Sequence, residues 1–138
     1  MKKHYFNLHK EKDRELFYPI ISNWWKKWKQ TPIPPKALPE TGLMISNKGI
    51  FICCGFLYKT DSIMSIIGWI ISNPNKEHRE LRTGAIELLI ESLENLAKQM
   101  GFEAFFVPAR NPNLIKKLNS LGYDLEKADR NINNFIKI

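Results

Sequence analysis

Residues 63–72 have the sequence IMSIIGWIIS, and residues 81–101 have the sequence LRTGAIELLIESLENLAKQMG. The first stretch is apolar and rich in β-branched isoleucine, which predicts a central strand buried on both faces. In the second, apolar residues recur every three to four positions and Gly101 follows them, which predicts a helix over Leu81–Met100. The next candidate strand, Glu103–Pro108, is then expected to pair in parallel with the first, since a helix carries the chain back across the sheet.

Further elements lie on both sides of this unit. Upstream, the strands Thr41–Ser46 and Ile50–Lys59 are separated by the tight-turn signal of residues 47–49, which predicts an antiparallel hairpin. Downstream, we expect a short helix over Asn113–Leu121 and a last strand over Ile132–Ile138. A meander followed by a strand–helix–strand crossover predicts an α/β fold: a mixed, mainly antiparallel central sheet flanked by helices, in three layers.

The N-terminal part is irregular in pattern. Tyr5–Leu8 is a candidate short strand, and Lys12–Lys29 has apolar residues at helical spacing. Pro19 in the middle of that segment is expected to kink the helix or divide it into two short ones. Thr31–Pro39 contains four prolines, so we expect an extended connection without regular structure.

The composition is that of an ordinary soluble globular protein. The chain has 138 residues, of which 43% are hydrophobic and 25% charged, a balance that excludes a disordered or fibrous chain. We expect a single domain over residues 1–138. The most apolar stretch, Ile63–Ile71, is much shorter than the ~18–20 residues that span a bilayer, and residues 1–6 contain no apolar signal-peptide core. No membrane association is therefore expected.

Cys53 and Cys54 are the only cysteines. Successive side chains of a strand point to opposite faces, so these two are not expected to form a disulfide. Two free thiols are typical of a reducing compartment, which predicts a cytoplasmic protein. His4, His9 and His78 have no metal-ligand spacing with the cysteines, and no metal site is expected. No histidine near them in sequence would activate a thiol, so an acyl-cysteine intermediate is not expected either.

The positive charge is concentrated in the first third of the chain. Of a formal net charge of +7, residues 1–48 account for +6, from ten bases and four acids. This surplus indicates an acidic partner, or simply the codon usage of an AT-rich genome, because 16 of the 21 bases are lysine. Residues 24–28, with the sequence WWKKW, are either an aromatic–basic patch for nucleic acid or a helix whose tryptophans join the core and line a substrate groove.

Residues 74–123 resemble the GCN5-related N-acetyltransferase (GNAT) superfamily. The family's pattern is a strand ending near a proline, an Arg/Gln-x-x-Gly-x-Gly/Ala loop, a long helix ending in Gly-Phe, a strand, an asparagine and a short helix ending in Gly-Phe or Gly-Tyr. The corresponding residues here are Ser72-Asn73-Pro74, Arg79 to Ala85, Gly101-Phe102, Phe105-Phe106-Val107, Asn111, Ile115 and Leu121-Gly122-Tyr123. Residues 24–28 and 38–43 also look like a small GNAT-like group found in bacteriophage genomes.

The resemblance implies acetyl-CoA, or another acyl-CoA, as the acyl donor. The pantetheine arm would then pair with the backbone of the preceding strand, and an asparagine would contact the cofactor before the short helix; these residues are Ile70, Ile71, Ser72 and Asn111. The pyrophosphate would lie on the loop formed by Arg79, Arg82, Thr83, Gly84 and Ala85. This location is physically reasonable, because the first turn of a helix has free N–H groups and a positive dipole end, and arginines add charge-assisted bonds.

The sequence departs from the family at three places. Arg82 occupies the position of the first loop glycine, and a register shift of two residues puts Ile86 at the second, so one glycine is missing in either alignment. Leu118 occupies the position of the tyrosine that serves the family as general acid, and leucine has no proton to donate. No acidic residue lies on the strand Ile63–Ser72, where the family often has a general base.

Other acid–base groups lie near the expected edges of the site. Glu40, Asp61 and His78 are candidates, although each is also the kind of residue that ordinarily lies in a solvated turn or loop. We select Glu40 as the candidate catalytic residue, because the proline-rich segment before it is stiff enough to hold it against the central strand.

These observations lead to one principal hypothesis and two alternatives. The principal one is an acyl-CoA-dependent N-acyltransferase that transfers an acetyl group to a small-molecule or protein amine, with an acidic acceptor if the charge surplus is functional. The first alternative is a GNAT-like protein without catalysis that binds a host protein or nucleic acid. The second is a nucleic-acid-binding module that uses the basic N-terminal third. The sequence does not predict an oligomeric state.

Overall fold

The computed structural model describes residues 1–109, 111–127 and 133–137, and its side chains are described for residues 1–109 and 111–124. The strands are β1 (Lys2–Phe6), β2 (Thr41–Asn47), β3 (Ile50–Tyr58), β4 (Met64–Ser72), β5 (Ala104–Ala109), β6 (Asp124–Lys127) and β7 (Asn133–Lys137). The α-helices are α1 (Glu11–Lys27), α2 (Ala85–Gln99) and α3 (Pro112–Ser120), and two 3-10 segments cover Pro35–Ala37 and Lys76–Arg82. Of the predicted last strand, Ile132 and Ile138 lie outside the described residues.

The strands form one seven-stranded sheet in the order β1-β2-β3-β4-β5-β7-β6. Every neighbouring pair is antiparallel except β4 and β5, which are parallel. The helix α2 connects these two strands, as a parallel pair requires. The predicted mixed, mainly antiparallel sheet with one parallel pair is therefore confirmed.

Two hydrophobic cores lie on opposite faces of the sheet. Neighbouring residues of β2 and β3 alternate between them: Leu43 and Cys53 pack with α2 and α3, whereas Met44 and Cys54 pack with α1. Both cysteines are free and completely buried, on opposite faces as the sequence indicates. The helices therefore form two outer layers, and the three-layer arrangement is confirmed.

The helix α1 is continuous through Pro19, so the expected division into two short helices is wrong. A proline inside a helix costs about 3 kcal/mol, because it removes a hydrogen bond and crowds the preceding turn. Pro19 is exposed, while Phe17, Ile21 and Trp24 on the same helix are buried against the sheet. Burial of this apolar face offsets the cost and holds the helix in one piece.

The helix α2 begins at Ala85, four residues later than the sequence predicts. Its N-cap residue is Gly84, whose φ of 80° places it in the left-handed region, and residues 76–82 before it form a 3-10 segment. The apolar spacing of residues 81–86 fits both helix types, which explains why the periodicity did not reveal the change. Gly84 therefore separates the loop from the helix proper.

Candidate functional site

The two neighbours of β4 pair with different parts of its length. Its pairing with β5 covers Met64, Ser65 and Ile66, whereas its pairing with β3 runs from Ile66 to Ser72. We call Met64–Ile66 the paired half and Gly68–Ser72 the open half. Along the open half no described strand lies on the β5 side, because the pairing of β4 with β5 ends at Ile66. A strand edge without a neighbour leaves backbone N–H and C=O groups available to a ligand.

A β-bulge lies in the middle of the open half. Two residues of β4, Trp69 and Ile70, stand opposite the single residue Gly55 of β3. Trp69 has a φ of 54°, which is unusual for a bulky side chain and costs free energy. Bulges bend a strand and are over-represented next to active sites. The bulge therefore lies in the part of β4 that is not paired with β5.

Hydrogen-bond alternation identifies which backbone groups face the open edge. The N–H of Asn73 donates to the Ile52 carbonyl of β3, at 2.7 Å, so Asn73 and the residue two before it, Ile71, face β3. Ile70 and Ser72 then face the open edge. Of the three residues predicted to pair with an acyl-CoA, two therefore present their backbone to that edge, whereas Ile71 pairs with β3 and buries its side chain against α1.

The strand burial predicted from the isoleucine-rich sequence is only partly correct. Ser65 and Ile67 are completely buried, but Ile63 is 55% exposed and Trp69 is 46% exposed. Ile63 precedes the strand, and Trp69 lies in the bulge, which interrupts the regular alternation of side chains between the two cores. The other isoleucines of the open half keep that alternation, and Ile71 is buried.

The loop after β4 is held together by asparagines and one arginine. The Oδ1 of Asn73 accepts from the N–H of Asn75, at 2.9 Å, and the Oδ1 of Asn75 accepts from the N–H of Glu77, at 3.0 Å. The Nη2 of Arg82 donates to the carbonyls of Asn73 and Asn75, at 2.6 and 2.7 Å. The Nε of Arg82 is buried and has no hydrogen-bond partner. Arg82 therefore supports the loop from within, which its sequence position did not reveal.

The start of α2 is free of side-chain caps. No side chain caps its first turn, and the Gly84 carbonyl accepts from the Leu88 N–H as the first helical bond. Arg79 is exposed beside this turn in sequence and has no hydrogen bond or ion pair among the described residues. Thr83 is exposed and precedes Gly84, with a φ of −57°. Free N–H groups after a left-handed glycine form a concave site that suits an anion.

Asn111 caps α3 at the same end of the sheet. Since β4 and β5 are parallel, their carboxyl ends point the same way, and Asn111 follows β5. Its Oδ1 accepts from the Asn113 N–H, at 2.8 Å, so its side-chain oxygen is committed to the cap, while the amide Nδ2 has no described partner. The structure thus brings Ile70, Ser72, the residue 79–85 loop and Asn111 to one end of the sheet.

Two tryptophans lie at the open half: Trp28 at the end of α1, and Trp69 on β4 itself. Trp24 and Trp25 are buried, whereas Trp28 is 47% exposed and its indole Nε1 donates to the Ser72 carbonyl, at 2.8 Å. Trp69 donates from its Nε1 to the Tyr58 hydroxyl, at 2.8 Å, and that hydroxyl donates to the Ala37 carbonyl, at 2.9 Å. The expectation that the tryptophans divide between core and groove is confirmed for the core pair, and Trp28 lies beside the open edge.

Glu40 is not brought into contact with the other predicted site residues. It is exposed, and no hydrogen bond or ion pair is recorded for its side chain in the described part of the chain. The pairing of Thr41 with Leu57, continued by one residue, sets Glu40 opposite Tyr58. Glu40 therefore lies beside Tyr58 of β3, whose hydroxyl is bonded to Trp69, and not at the open edge of β4.

Leu118 is completely buried in the core between α3 and the sheet. The polar group that sequence reasoning missed lies nearby: the Tyr123 hydroxyl donates to Glu94 Oε1 at 2.6 Å, and both residues are buried. Burial, and then the bond to Glu94, raise the pKa of Tyr123 above its usual range. No simple periodicity reveals such a pair, since Glu94 looks like a solvent-facing helix residue.

The two thiols are unsuited to nucleophilic catalysis. Burial raises the pKa of Cys53 to about 12, with Glu87 raising it further and Lys117 lowering it. Burial, and then the neighbouring Cys53, raise the pKa of Cys54 well above its usual range. Thiols react as thiolates, so both cysteines are chemically inert at neutral pH.

Two cavities lie beside the N-terminal part of the chain, and the larger one borders the loop after β4, since it is lined by Met1, which lies next to Gly84, and by Phe51, whose carbonyl accepts from the Asn73 Nδ2. One, of about 470 Å³, includes His4, whose Nε2 lies 2.8 Å from the Ser46 Oγ, and the other, of about 300 Å³, lies between His9 and Pro35. Neither is lined by a predicted site residue. In the described ranges no helix is long and apolar enough to cross a membrane, and no three His, Cys, Asp or Glu side chains are grouped to hold a metal ion.

The fold is similar to that of solved acetyltransferases. The GNAT domain of PAT from S. lividans superposes with a TM-score of 0.73 at 13% identity, over 98% of this chain and 88% of that one. The ribosomal-protein-S18-alanine N-acetyltransferase from Escherichia coli gives a TM-score of 0.66 at 16% identity, over 98% and 91%. The PaiA N-acetyltransferase from Thermoplasma acidophilum, in complex with coenzyme A, gives 0.55 at 15% identity, over 70% of this chain and 58% of that one.

These likenesses show that the chain has the GNAT fold. No protein-family model matches the sequence, and no curated protein sequence matches it.

Proposed function

We propose that this protein is an acyl-CoA-dependent N-acyltransferase that transfers an acetyl group to an amine. The observation that carries the proposal is the open half of β4, whose unpaired backbone edge ends in a loop and an uncapped helix start. An elongated donor with a phosphate end and an amide-containing arm matches this order of features. The similarity in fold to an acetyltransferase in complex with coenzyme A supports the same donor.

The loop and helix start fit a pyrophosphate. Gly84 has a φ of 80° and no side chain, so an oxygen atom can approach the free N–H groups of the first turn of α2, Ala85 among them. Arg79 is exposed and has no partner among the described residues, which leaves its guanidinium available for a charge-assisted bond. Arg82 contributes indirectly, because its guanidinium holds the loop through the carbonyls of Asn73 and Asn75.

The open edge fits the arm and the acyl group. We assign the contacts to the backbone of Ile70 and to the N–H of Ser72, whose carbonyl accepts from Trp28, together with the Asn111 amide; Ile71 has a packing role only. The N–H of Ile70, within the bulge, is the donor we assign to the acyl carbonyl oxygen. A fixed N–H aimed at a carbonyl stabilises the negative charge that develops there during attack by an amine.

The transfer needs one bond made and one broken. The amine nitrogen bonds to the acyl carbon, the carbon–sulfur bond breaks, the nitrogen loses one proton, and the sulfur leaves as a thiolate that is protonated afterwards. Holding both reactants in place supplies ~7–11 kcal/mol of barrier reduction. We retain Glu40 as the candidate base on the acceptor side and assign thiolate protonation to water, since Leu118 is buried and has no proton to give.

The narrower predictions are part of this proposal. The free, buried thiols support a cytoplasmic setting. The likeness of residues 24–28 and 38–43 to small bacteriophage GNAT-like proteins remains a prediction from sequence, as does the single domain over residues 1–138.

Calorimetric titration with acetyl-CoA tests the proposal. We expect saturable binding that Arg79→Gln weakens, because it removes an exposed cation without altering a structural contact. Absence of binding at millimolar acetyl-CoA would overturn it. Binding without any release of free thiol in the presence of varied amines would instead favour the non-catalytic alternative, and loss of turnover in Glu40→Gln with unchanged acetyl-CoA affinity would support the role of Glu40.

A further inference from the structure

Two half-exposed tryptophans beside the open half of β4 are surrounded by lysines. We call this surface the tryptophan–lysine face, and it consists of Trp28, Trp69, Lys27, Lys29, Lys36 and Lys59. Both indole N–H groups already have acceptors, so each ring is held in place and presents apolar surface to solvent. Fixed aromatic rings bind with little loss of conformational entropy.

The members of the face come from separate elements that one set of hydrogen bonds joins. Trp28 at the end of α1 is bonded to Ser72 of β4, and Trp69 is bonded to Tyr58 of β3. Lys59 follows Tyr58 in sequence, and Lys36 precedes Ala37, whose carbonyl accepts from the Tyr58 hydroxyl. Trp69 and Ser72 are three residues apart on β4, about 10 Å along the strand.

The lysines of this face are free cations. All four are exposed, and the one ion pair recorded among the described residues, Lys117 with Glu87, lies elsewhere, between α3 and α2. Glu40, which the extended β2–β3 register sets opposite Tyr58, is an exposed carboxylate beside them, so it offsets part of the charge of the four lysines and a positive surplus remains. Its complement is an acidic partner.

The face also contains a strained residue. Trp69 has a φ of 54°, a conformation that costs a bulky side chain about 1–3 kcal/mol and that clusters at functional sites. Lys29 has a φ of 59° as well, but there it ends α1, since the Gln30 N–H donates to the Trp25 carbonyl and the Lys29 N–H to the Lys26 carbonyl.

We propose that the tryptophan–lysine face docks an acidic, extended polypeptide segment that carries the acceptor amine. The identity of the acceptor rests on the proposed function, because acyl transfer requires an amine nucleophile, and a lysine side chain or an N-terminus is far more nucleophilic than the amino group of a nucleobase. The docking itself rests only on the two rings and the four lysines. The proposed acceptor is thus an amine on an acidic protein.

The test uses a short synthetic peptide with one lysine between aspartates and glutamates, labelled with a fluorophore and followed by anisotropy without acyl-CoA. We expect saturable binding that weakens as salt rises. Lys27→Glu, Lys36→Glu and Lys59→Glu together are expected to weaken binding about tenfold or more, from three lost attractions and added repulsion. The matched control, Lys3→Glu, Lys12→Glu and Lys116→Glu, changes the net charge equally at exposed lysines elsewhere. Equal loss in both triple variants would overturn the proposal.

A second comparison tests the aromatic part. Trp69→Ala is expected to weaken peptide binding several-fold, whereas Tyr5→Ala, at a similarly exposed aromatic residue on β1, is expected to leave it unchanged. A single-stranded DNA of equal charge that binds more tightly than the peptide would overturn the proposal in favour of nucleic acid. Because acyl-CoA is absent from this assay, failure here is distinct from failure of the acetyl-CoA titration, which judges the proposed function alone.

Discussion

The two halves of β4 have different roles although their sequences are equally apolar. The paired half has β5 along its whole length and meets β3 at Ile66, and its residue Ser65 is completely buried. The open half has β3 alone, contains the bulge at Trp69–Ile70 and ends at a loop held by Arg82. The difference shows that one strand can stabilise the sheet at one end and offer its backbone to a ligand at the other.

The largest expected effect concerns the paired half. Phe105 on β5 is paired with Ser65 and is 2% exposed, so Phe105→Ala should lower the free energy of unfolding by about 3–5 kcal/mol. Trp69→Ala removes a larger ring from the open half, but one that is half exposed, and should cost clearly less. Chemical denaturation measures both, and an equal loss would contradict the distinction between the halves.

The next effect concerns the loop at the end of the open half. Arg82→Gln removes charge-assisted bonds to two carbonyls, and we expect a loss of about 1.5–3 kcal/mol in the free energy of unfolding together with weaker acetyl-CoA binding. Arg79→Gln should weaken binding without changing stability, because Arg79 is exposed and unpaired. If Arg82→Gln and Arg79→Gln have the same free energy of unfolding, Arg82 does not support the loop.

A smaller effect is expected at two glycines with nearly the same backbone conformation. Gly84 has a φ of 80° and Gly49 a φ of 79°, so alanine at either position should cost about 1–2 kcal/mol of stability. Only Gly84→Ala should also raise the Kd for acetyl-CoA, by about tenfold, since its new Cβ lies at the uncapped start of α2. A parallel calorimetric titration of Gly49→Ala is the control, and a similar rise there would argue against the phosphate site.

The smallest effect at neutral pH concerns Cys53 of β3, which pairs with Ser72 at the end of the open half. Burial raises the pKa of Cys53 to about 12 from 9.0. Between these values the unfolded chain releases a proton that the folded chain retains, so stability should be constant below pH 9 and fall as the pH rises toward 12.

The decline should reach at most about 1.4 kcal/mol per pH unit for each thiol, measured by denaturation at a series of pH values. Cys53→Ala should reduce this slope, with Cys54 and the tyrosines Tyr5, Tyr18 and Tyr123, whose pKa values burial also raises, accounting for what remains. A slope that is the same in the variant would contradict the burial of Cys53.

Most elements of the fold were predictable because each follows from local periodicity. The hairpin around residues 47–49 and the alternation at Cys53 and Cys54 depend only on neighbouring residues, and both are present. The continuity of α1 through Pro19 was not predictable, because it depends on the free energy of packing against the sheet. The start of α2 at Ala85 was not predictable from hydrophobic spacing either, because that spacing does not show the left-handed conformation of Gly84.

The candidate site was predictable to a smaller extent. The sequence pointed to Gly84 and to the end of β4, and the structure brings these together with Asn111. It could not reveal that Arg82 is engaged by the loop's own carbonyls, or that Trp28 is bonded to Ser72, since both contacts join residues through space. Side-chain partners of this kind depend on the packing of whole elements.

The sequence by itself determined the order of the strands and helices, the two faces of the sheet and the concentration of charge in residues 1–48, because these depend on composition and on periods of two and 3.6 residues. Only the tertiary structure decided where β4 loses its partner. That point depends on the register of β4 with β5, which ends at Ile66, and the bulge at Trp69–Ile70 against β3 follows it; both are contacts between distant parts of the chain. The open edge, and with it the candidate site, follows from those contacts.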